Sequence, residues 1–461
     1  MSTQPAALLR ISRARLLLVL AVVCYVTIFN VTYRDIISPT FAFWGLGYNP
    51  PPPFYFWTSA VLCVVPSLWM PLTFSRPTLL LFYMQYLLIF VPASFVAYHS
   101  TRPELRLDDA LWLVVAMFAG LTIVQASFLV PVRQSRFIRL TPPAFWVIFA
   151  TIAAIMLLYV VRTFAGNFRL ANFVDIYSVR FAMSEIASST GTRFGVYAQS
   201  LLLALFLPIS FAVGAFSRRW WMIITTGIVY VFLFGIGGAK SAILALIYLP
   251  LVYGLLSQPR ARIPLLMIAG LSAVLLSGYV SSALLSSQTN ISYLGVVHFR
   301  LFTVPALTLP QYADFFQTHP VTHLSHVTGF NWFLRYPYDL DIAYTIGWYY
   351  YGSALGANSG FWGTDGIAGF GLWGIPLISG VCAFVFLLAD SIAADVDPAF
   401  AGVALAYSAV FFTNVSLFTT LITGGLAFVI FALAVAPRDK LGRIALTSVP
   451  RLRTSTAVVN R

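Results

Sequence analysis

Twelve apolar runs, each near the length of a bilayer crossing, constrain what this 461-residue chain can fold into. They fall near 16–32, 55–73, 78–98, 110–130, 144–163, 196–216, 220–236, 241–257, 263–282, 366–389, 400–415 and 419–436. A helix needs about 20 residues to cross the hydrocarbon, and only a helix or a closed barrel satisfies its own backbone there. Composition agrees, with 60% hydrophobic and 9% charged residues against roughly 25% charged in a water-soluble globule. The expected fold is an all-α polytopic membrane protein with about 12 transmembrane helices. Residues 1–436 would form one transmembrane helical domain, and 437–461 a disordered, basic cytoplasmic tail. Arg10, Arg13 and Arg15 precede the first run and no small-residue cleavage site follows it, so an uncleaved first helix is expected. Cys24, Cys63 and Cys382 all lie in apolar runs, which indicates buried thiols and no disulfide framework.

Charge fixes the direction. With a cytoplasmic N-terminus, the inner segments hold seventeen basic and four acidic residues, and the outer segments ten of each. The whole formal charge of +13 then falls on one side, as short cytoplasmic loops require. The basic balance is therefore a topology signal, and no nucleic-acid partner is needed to explain it. This alternation leaves two long outward loops, about 164–195 and 283–365.

The first loop carries Arg162, Arg169, Arg180 and Arg193 against Asp175 and Glu185. Ion pairing and snorkelling would occupy part of that set. The surplus points to an anion, and a planar, permanently charged fork suits phosphate or pyrophosphate. Lys240, in Gly235-Ile-Gly-Gly-Ala-Lys240-Ser241, is the one lysine expected outside and stands beside a helix start. That stretch lacks the spacing and the preceding strand of a nucleotide-binding loop, and close helix packing explains its glycines.

The second loop holds Arg300, His319, His323, His326, Arg335, Asp339, Asp341 and Asp365, and all five histidines are expected outside. On a helix, His319, His323 and His326 would share one face. One of them serving as a general base is a more economical reading than a metal site, and no metal or cofactor is expected. Arg335-Tyr336-Pro337-Tyr338-Asp339-Leu340-Asp341 combines rings and carboxylates suited to sugar faces and hydroxyls, although Asp339 and Asp341 could instead pair with Arg335.

With these residues in view, the chain resembles the O-antigen and oligosaccharide repeat-unit polymerases. The likeness rests on the multi-span layout with two enlarged outward loops. It rests also on Arg180 followed by ten residues and Gly191, and on Ala357-Asn358-Ser359-Gly360-Phe361-Trp362-Gly363-Thr364-Asp365 through Gly374. The second loop departs from the arginine spacing, since Gln311 and Ile346 stand eleven residues after Arg300 and Arg335. The resemblance implies a GT-C-like glycosyltransferase with periplasmic loops in a bacterial inner membrane. Its donor and acceptor would be oligosaccharides on undecaprenyl pyrophosphate, with a flippase and a chain-length regulator as pathway partners. Arg180, Arg169, Arg193, Arg300, Arg335 and Lys240 would hold the pyrophosphate, and Tyr336, Tyr338, Asp341 and Trp362 the sugar. His323 or His326, then Asp365 or Asp339, would supply the base. A ligase using the same donor and a non-enzymatic transporter of lipid-linked glycan are the competing expectations.

Overall fold

The computed structural model describes residues 12–134, 137–164, 166, 168–169, 193–353, 355–358, 360–439 and 441–446. Among them the chain is all-α, without a strand. In chain order the helices are α1 (Arg13–Trp44), α2 (Pro53–Leu68), α3 (Leu79–His99), α4 (Leu107–Leu129), α5 (Pro142–Phe164), α6 (Phe194–Phe216), α7 (Trp220–Gly237) and α8 (Lys240–Leu256). They continue with α9 (Ile263–Leu284), α10 (Ser287–Thr318), α11 (Ile342–Tyr351), α12 (Gly363–Phe370), α13 (Gly374–Ile392), α14 (Pro398–Phe412), α15 (Leu417–Ile422) and α16 (Leu426–Val435). Nine of these are long and apolar enough to cross a bilayer, and α2, α8, α14 and α16 are shorter apolar helices. The chain is thus a polytopic membrane protein; ten of the twelve apolar runs each fall on one helix, while 366–389 is broken between α12 and α13 and 419–436 between α15 and α16.

Proline sets the irregularities. Four π-helical segments interrupt the long helices, at Tyr33–Ile37, Tyr86–Phe90, Leu202–Phe206 and Gly295–Thr303. Pro39, Pro92, Pro208 and Pro305 each follow two residues beyond one of these segments. A proline donates no amide hydrogen and its ring crowds the carbonyl four residues back. One extra residue in the preceding turn relieves that contact, and the helix continues in shifted phase.

The bundle has two distinct ends. α13 runs from Gly374 to Asp390, whose carboxylate accepts from the Thr78 hydroxyl at 2.8 Å and lies 3.9 Å from Arg76. Just beyond, Asp395 pairs with Arg139 and Arg438, and Asp397 with Arg260 at 3.4 Å and Arg443 at 3.8 Å. Arg76, Arg139, Arg260, Arg438 and Arg443, all expected on the cytoplasmic side, therefore gather at one end, here the basic end. Gly374, α12 and the C-terminus of α3 mark the opposite, loop end.

Three expectations change. Residues 287–318, expected in a loop, form α10. Its start follows the loop end of α9, Tyr293 and His298 bond to Ser277 and Leu275 of α9, and residues just past its end bond to α12. Both its ends thus lie at the loop end. Second, His298 and His99 are buried within the bundle, and His99 stacks between Tyr33 and Tyr48. Third, the start of the basic tail is tied down: Asp397 N donates to Gly442 O, and Trp146 Nε1 to Ala445 O. Residues 447–461 lie outside the described residues.

Candidate active site

α10 stops at Thr318 because Pro320 forces the residue before it into extended backbone, and His319 adopts φ −116°, ψ 154°. The three histidines therefore do not share a helix face. His319 stacks on Phe315 with ring centroids 4.0 Å apart. His323 is exposed on a left-handed turn. His326 turns inward. Among the described residues, no three His, Cys, Asp or Glu side chains group in a way that could hold a metal ion.

The inward turn is built by backbone pairing onto α12. Thr322 N donates to Ala368 O at 2.7 Å and His323 N to Gly369 O at 3.2 Å. α12 can approach so closely because its interior positions are glycines. A Cβ on Gly366 would overlap the Gly374 carbonyl, and one on Gly369 would press on Leu324. That approach sets Asp365 opposite His326, with Oδ1 3.2 Å from Nε2. The side chains are 3% and 8% exposed, so the pair is nearly sealed from water. Asp365 Oδ2 accepts the backbone N–H of Phe418, the second residue of α15, at 3.1 Å. On the far side of the ring, His326 Nδ1 lies 2.6 Å from Thr322 Oγ1, which also reaches Ala368 O at 3.0 Å.

These contacts restrict the protons. A carboxylate accepts only, so Nε2 carries the hydrogen toward Asp365. Nδ1 is then the basic nitrogen when the Thr322 hydroxyl points at it, and protonated when that hydroxyl points at Ala368 O. Asp365, His326 and Thr322 form a chain able to take up one proton and stabilise the imidazolium that results. Backbone strain concentrates here as well. Of the four non-glycine residues with positive φ among the described residues, His323 (50°), Leu324 (68°) and Phe361 (87°) flank this chain. Such conformations cost on the order of 1–3 kcal/mol each and cluster at working sites.

A cleft of about 390 Å³ lined by Arg335, Tyr336, Pro337, Tyr338 and Asp339 lies beside the turn. Tyr338 Oη donates to Pro320 O at 2.5 Å, two residues before Thr322, and Tyr336 Oη donates to Leu340 O at 2.8 Å. Burial raises both phenols, so each stays a protonated donor. Asp339 is exposed in the cleft wall. Asp341 precedes the first residue of α11 and is also exposed, and neither aspartate forms a salt bridge with Arg335 among the described residues. Trp362 corrects an expectation. It is fully buried, stacked on Phe361 and bonded through Nε1 to Ser379 Oγ at 2.6 Å, so no ring face is left for a sugar.

The cations divide. Arg180 lies outside the described residues, as do Asp175 and Glu185. Arg169 N donates to Gly235 O at 2.9 Å, which fixes the Arg169 backbone at the end of α7. Arg193 is the first helical residue of the stretch that α6 continues; Gln199 of α6 bonds Leu233 O on that same end, and Lys240 opens α8 three residues after α7 stops. Three of the expected cations thus cluster by backbone around one corner. α14 connects that corner to the buried chain. Its Tyr407 meets Ser241 at 2.9 Å, and Phe412 ends it about 7.5 Å of helix rise further on, shortly before Phe418. Arg300 sits apart, exposed on the π segment of α10, and Arg335 belongs to the cleft.

Sequence reasoning singled out His326 and Asp365, which the fold pairs, but not Thr322 or Phe418. Phe418 contributes a backbone amide, which no residue type betrays, and a lone threonine carries no signal. No protein-family model matches the chain, and comparisons with curated proteins and with solved structures return no match.

Proposed function

We propose that the chain is a membrane glycosyltransferase that polymerises lipid-linked oligosaccharide repeat units on the outer face of a bacterial inner membrane. The observation that carries this reading is the Asp365–His326–Thr322 chain set beside an aromatic and acidic cleft, at the end of the bundle opposite its paired arginines. By the positive-inside bias the basic end is cytoplasmic, which puts the cleft outside. In the proposed step the acceptor hydroxyl gives its proton to His326 Nδ1 across the Thr322 hydroxyl, and its oxygen bonds the donor's anomeric carbon. The bond from that carbon to the pyrophosphate breaks, and undecaprenyl pyrophosphate leaves with the electron pair. Pyrophosphate is a weakly basic leaving group, so it needs cations to hold charge more than it needs an acid. Arg169, Arg180, Arg193 and Lys240 are the candidates. Asp365 orients the imidazole and stabilises its charged form.

The test is polymerisation by purified protein in vesicles, with lipid-linked repeat units as donor and acceptor. His326→Gln and Asp365→Asn are each expected to cut the rate by roughly 100-fold or more, the usual weight of a general base, and to leave single lipid-linked units. Normal long-chain polymer from either variant would refute the reading. Single units that fail to extend yet transfer to a lipid A-type acceptor would identify a ligase.

A further inference from the structure

Five consecutive residues beside the site, Phe330-Asn331-Trp332-Phe333-Leu334, are all exposed, Trp332 at 78% and Phe333 at 85%. They form a short 3₁₀ turn (Phe330–Trp332) and its exit, closed by Leu334 N bonding Phe330 O at 3.0 Å. The turn is therefore an ordered, largely apolar tip that carries Asn331 and is flanked by the polar Thr328 and Arg335. Its base is fixed: the Phe330 ring packs on Phe418 with centroids 6.2 Å apart. Phe418 follows α14, whose 15 residues climb about 22 Å from Asp397 at the basic end. That rise leaves the end of α14 within a hydrocarbon layer about 30 Å thick, and Phe418 follows it six residues later. Exposed Trp112 and Trp373, 6.3 Å apart, and exposed Phe370, close to His323, mark the same end with aromatic side chains.

We infer that Phe330–Leu334 is a membrane hook, inserted into the leaflet at the loop end, with Arg335 at the headgroup phosphates. Trp and Phe at interface depth and Arg at the phosphates are the residues a lipid surface selects. The hook also has leverage on the site, because Phe418 supplies the amide that holds Asp365. Lipid contact at Trp332 and Phe333 then positions the Asp365–His326 pair through Phe330. Insertion itself does not depend on the proposed transfer reaction. Its influence on the pair does rest on that reading.

The experiment places a bimane label on Phe333→Cys, in a Cys24→Ser background, in phosphatidylethanolamine–phosphatidylglycerol vesicles whose acyl chains carry mid-chain bromines. The label is expected to be quenched several-fold more by the brominated chains, and several-fold less by aqueous iodide, than a label on Thr328→Cys. Equal iodide quenching at both positions would overturn the proposal. So would a Phe333→Cys disulfide between two copies in the bilayer, which would make the tip a protein contact. Trp332→Ser with Phe333→Ser supplies the second arm: the Thr328→Cys label gains iodide access in vesicles while melting in detergent is unchanged. No change in access would equally count against insertion. Depth is read by fluorescence without sugar transfer, so this test and the polymerisation assay fail separately.

Discussion

Arg180 and His326 illustrate what a single residue can disclose. His326 and Asp365 stood out by type, as ionisable groups of a membrane chain with little mid-span charge. Their pairing did not, because 39 positions separate them and the turn that joins them depends on Pro320 ending a helix. Trp362 was misread for the complementary reason: a tryptophan near a carboxylate looks like a sugar platform until its neighbours cover both faces. Arg180 remains an expectation drawn from sequence and argued by chemistry. A guanidinium grips pyrophosphate through two parallel hydrogen bonds, which a lysine cannot reproduce. Arg180→Ala is expected to lower polymer yield by roughly two to three orders of magnitude, the weight of one donor to a developing oxyanion. Arg180→Lys is expected to recover little of it. Polymer length and amount on gels check both, and full recovery by lysine would make the residue a point charge only.

At the scale of elements, helix existence was legible and helix detail was not. Apolar runs announce spans, because lipid leaves a backbone no other partner. They are silent on the π turns, although the four prolines that accompany those turns are plain in the sequence. The 283–365 segment misled for a related reason. Its charges and histidines masked the moderate hydropathy of α10, which an enclosing bundle tolerates. The contact of α12 with α13 gives the sharpest test at this scale. Gly366→Ala would drive a methyl into the Gly374 carbonyl, and backbone on both sides leaves little room to yield. Destabilisation of about 1–3 kcal/mol is expected from such overpacking, with loss of transfer as Asp365 shifts. Thermal unfolding in detergent measures it, and an unchanged melting temperature would mean that the two glycines separate readily.

The molecule as a whole is fastened at its basic end by two aspartates and four arginines. Asp395 takes Arg139 and Arg438, and Asp397 takes Arg260 and Arg443 while capping α14 through Ala399 N at 3.2 Å. Exposed pairs contribute little one at a time. Arg438 is 7% exposed in its pair with Asp395, and removing one partner of a buried pair costs more, because the other charge is stranded. Asp395→Asn with Asp397→Asn is expected to open residues 437–446 to trypsin at Arg438 and Arg443 and to lower the melting temperature. Unaltered cleavage would mean that the backbone bonds to Gly442 and Ala445 suffice. Charge bias had placed these arginines on one side, but it could not say that they meet, since the bias concerns insertion and not contact.

That fastening has a consequence for biogenesis. The chain is threaded into the bilayer in order, and residues 437–446 emerge after every span. Yet they bond to Phe216, Trp146 and Asp397, and the Leu140 amide waits for Val435 O. The basic end therefore stays unlocked until synthesis has passed the last helix, and the spans can still adjust against one another until then. A chain cut after residue 436 would keep every helix yet lack these contacts at its basic end.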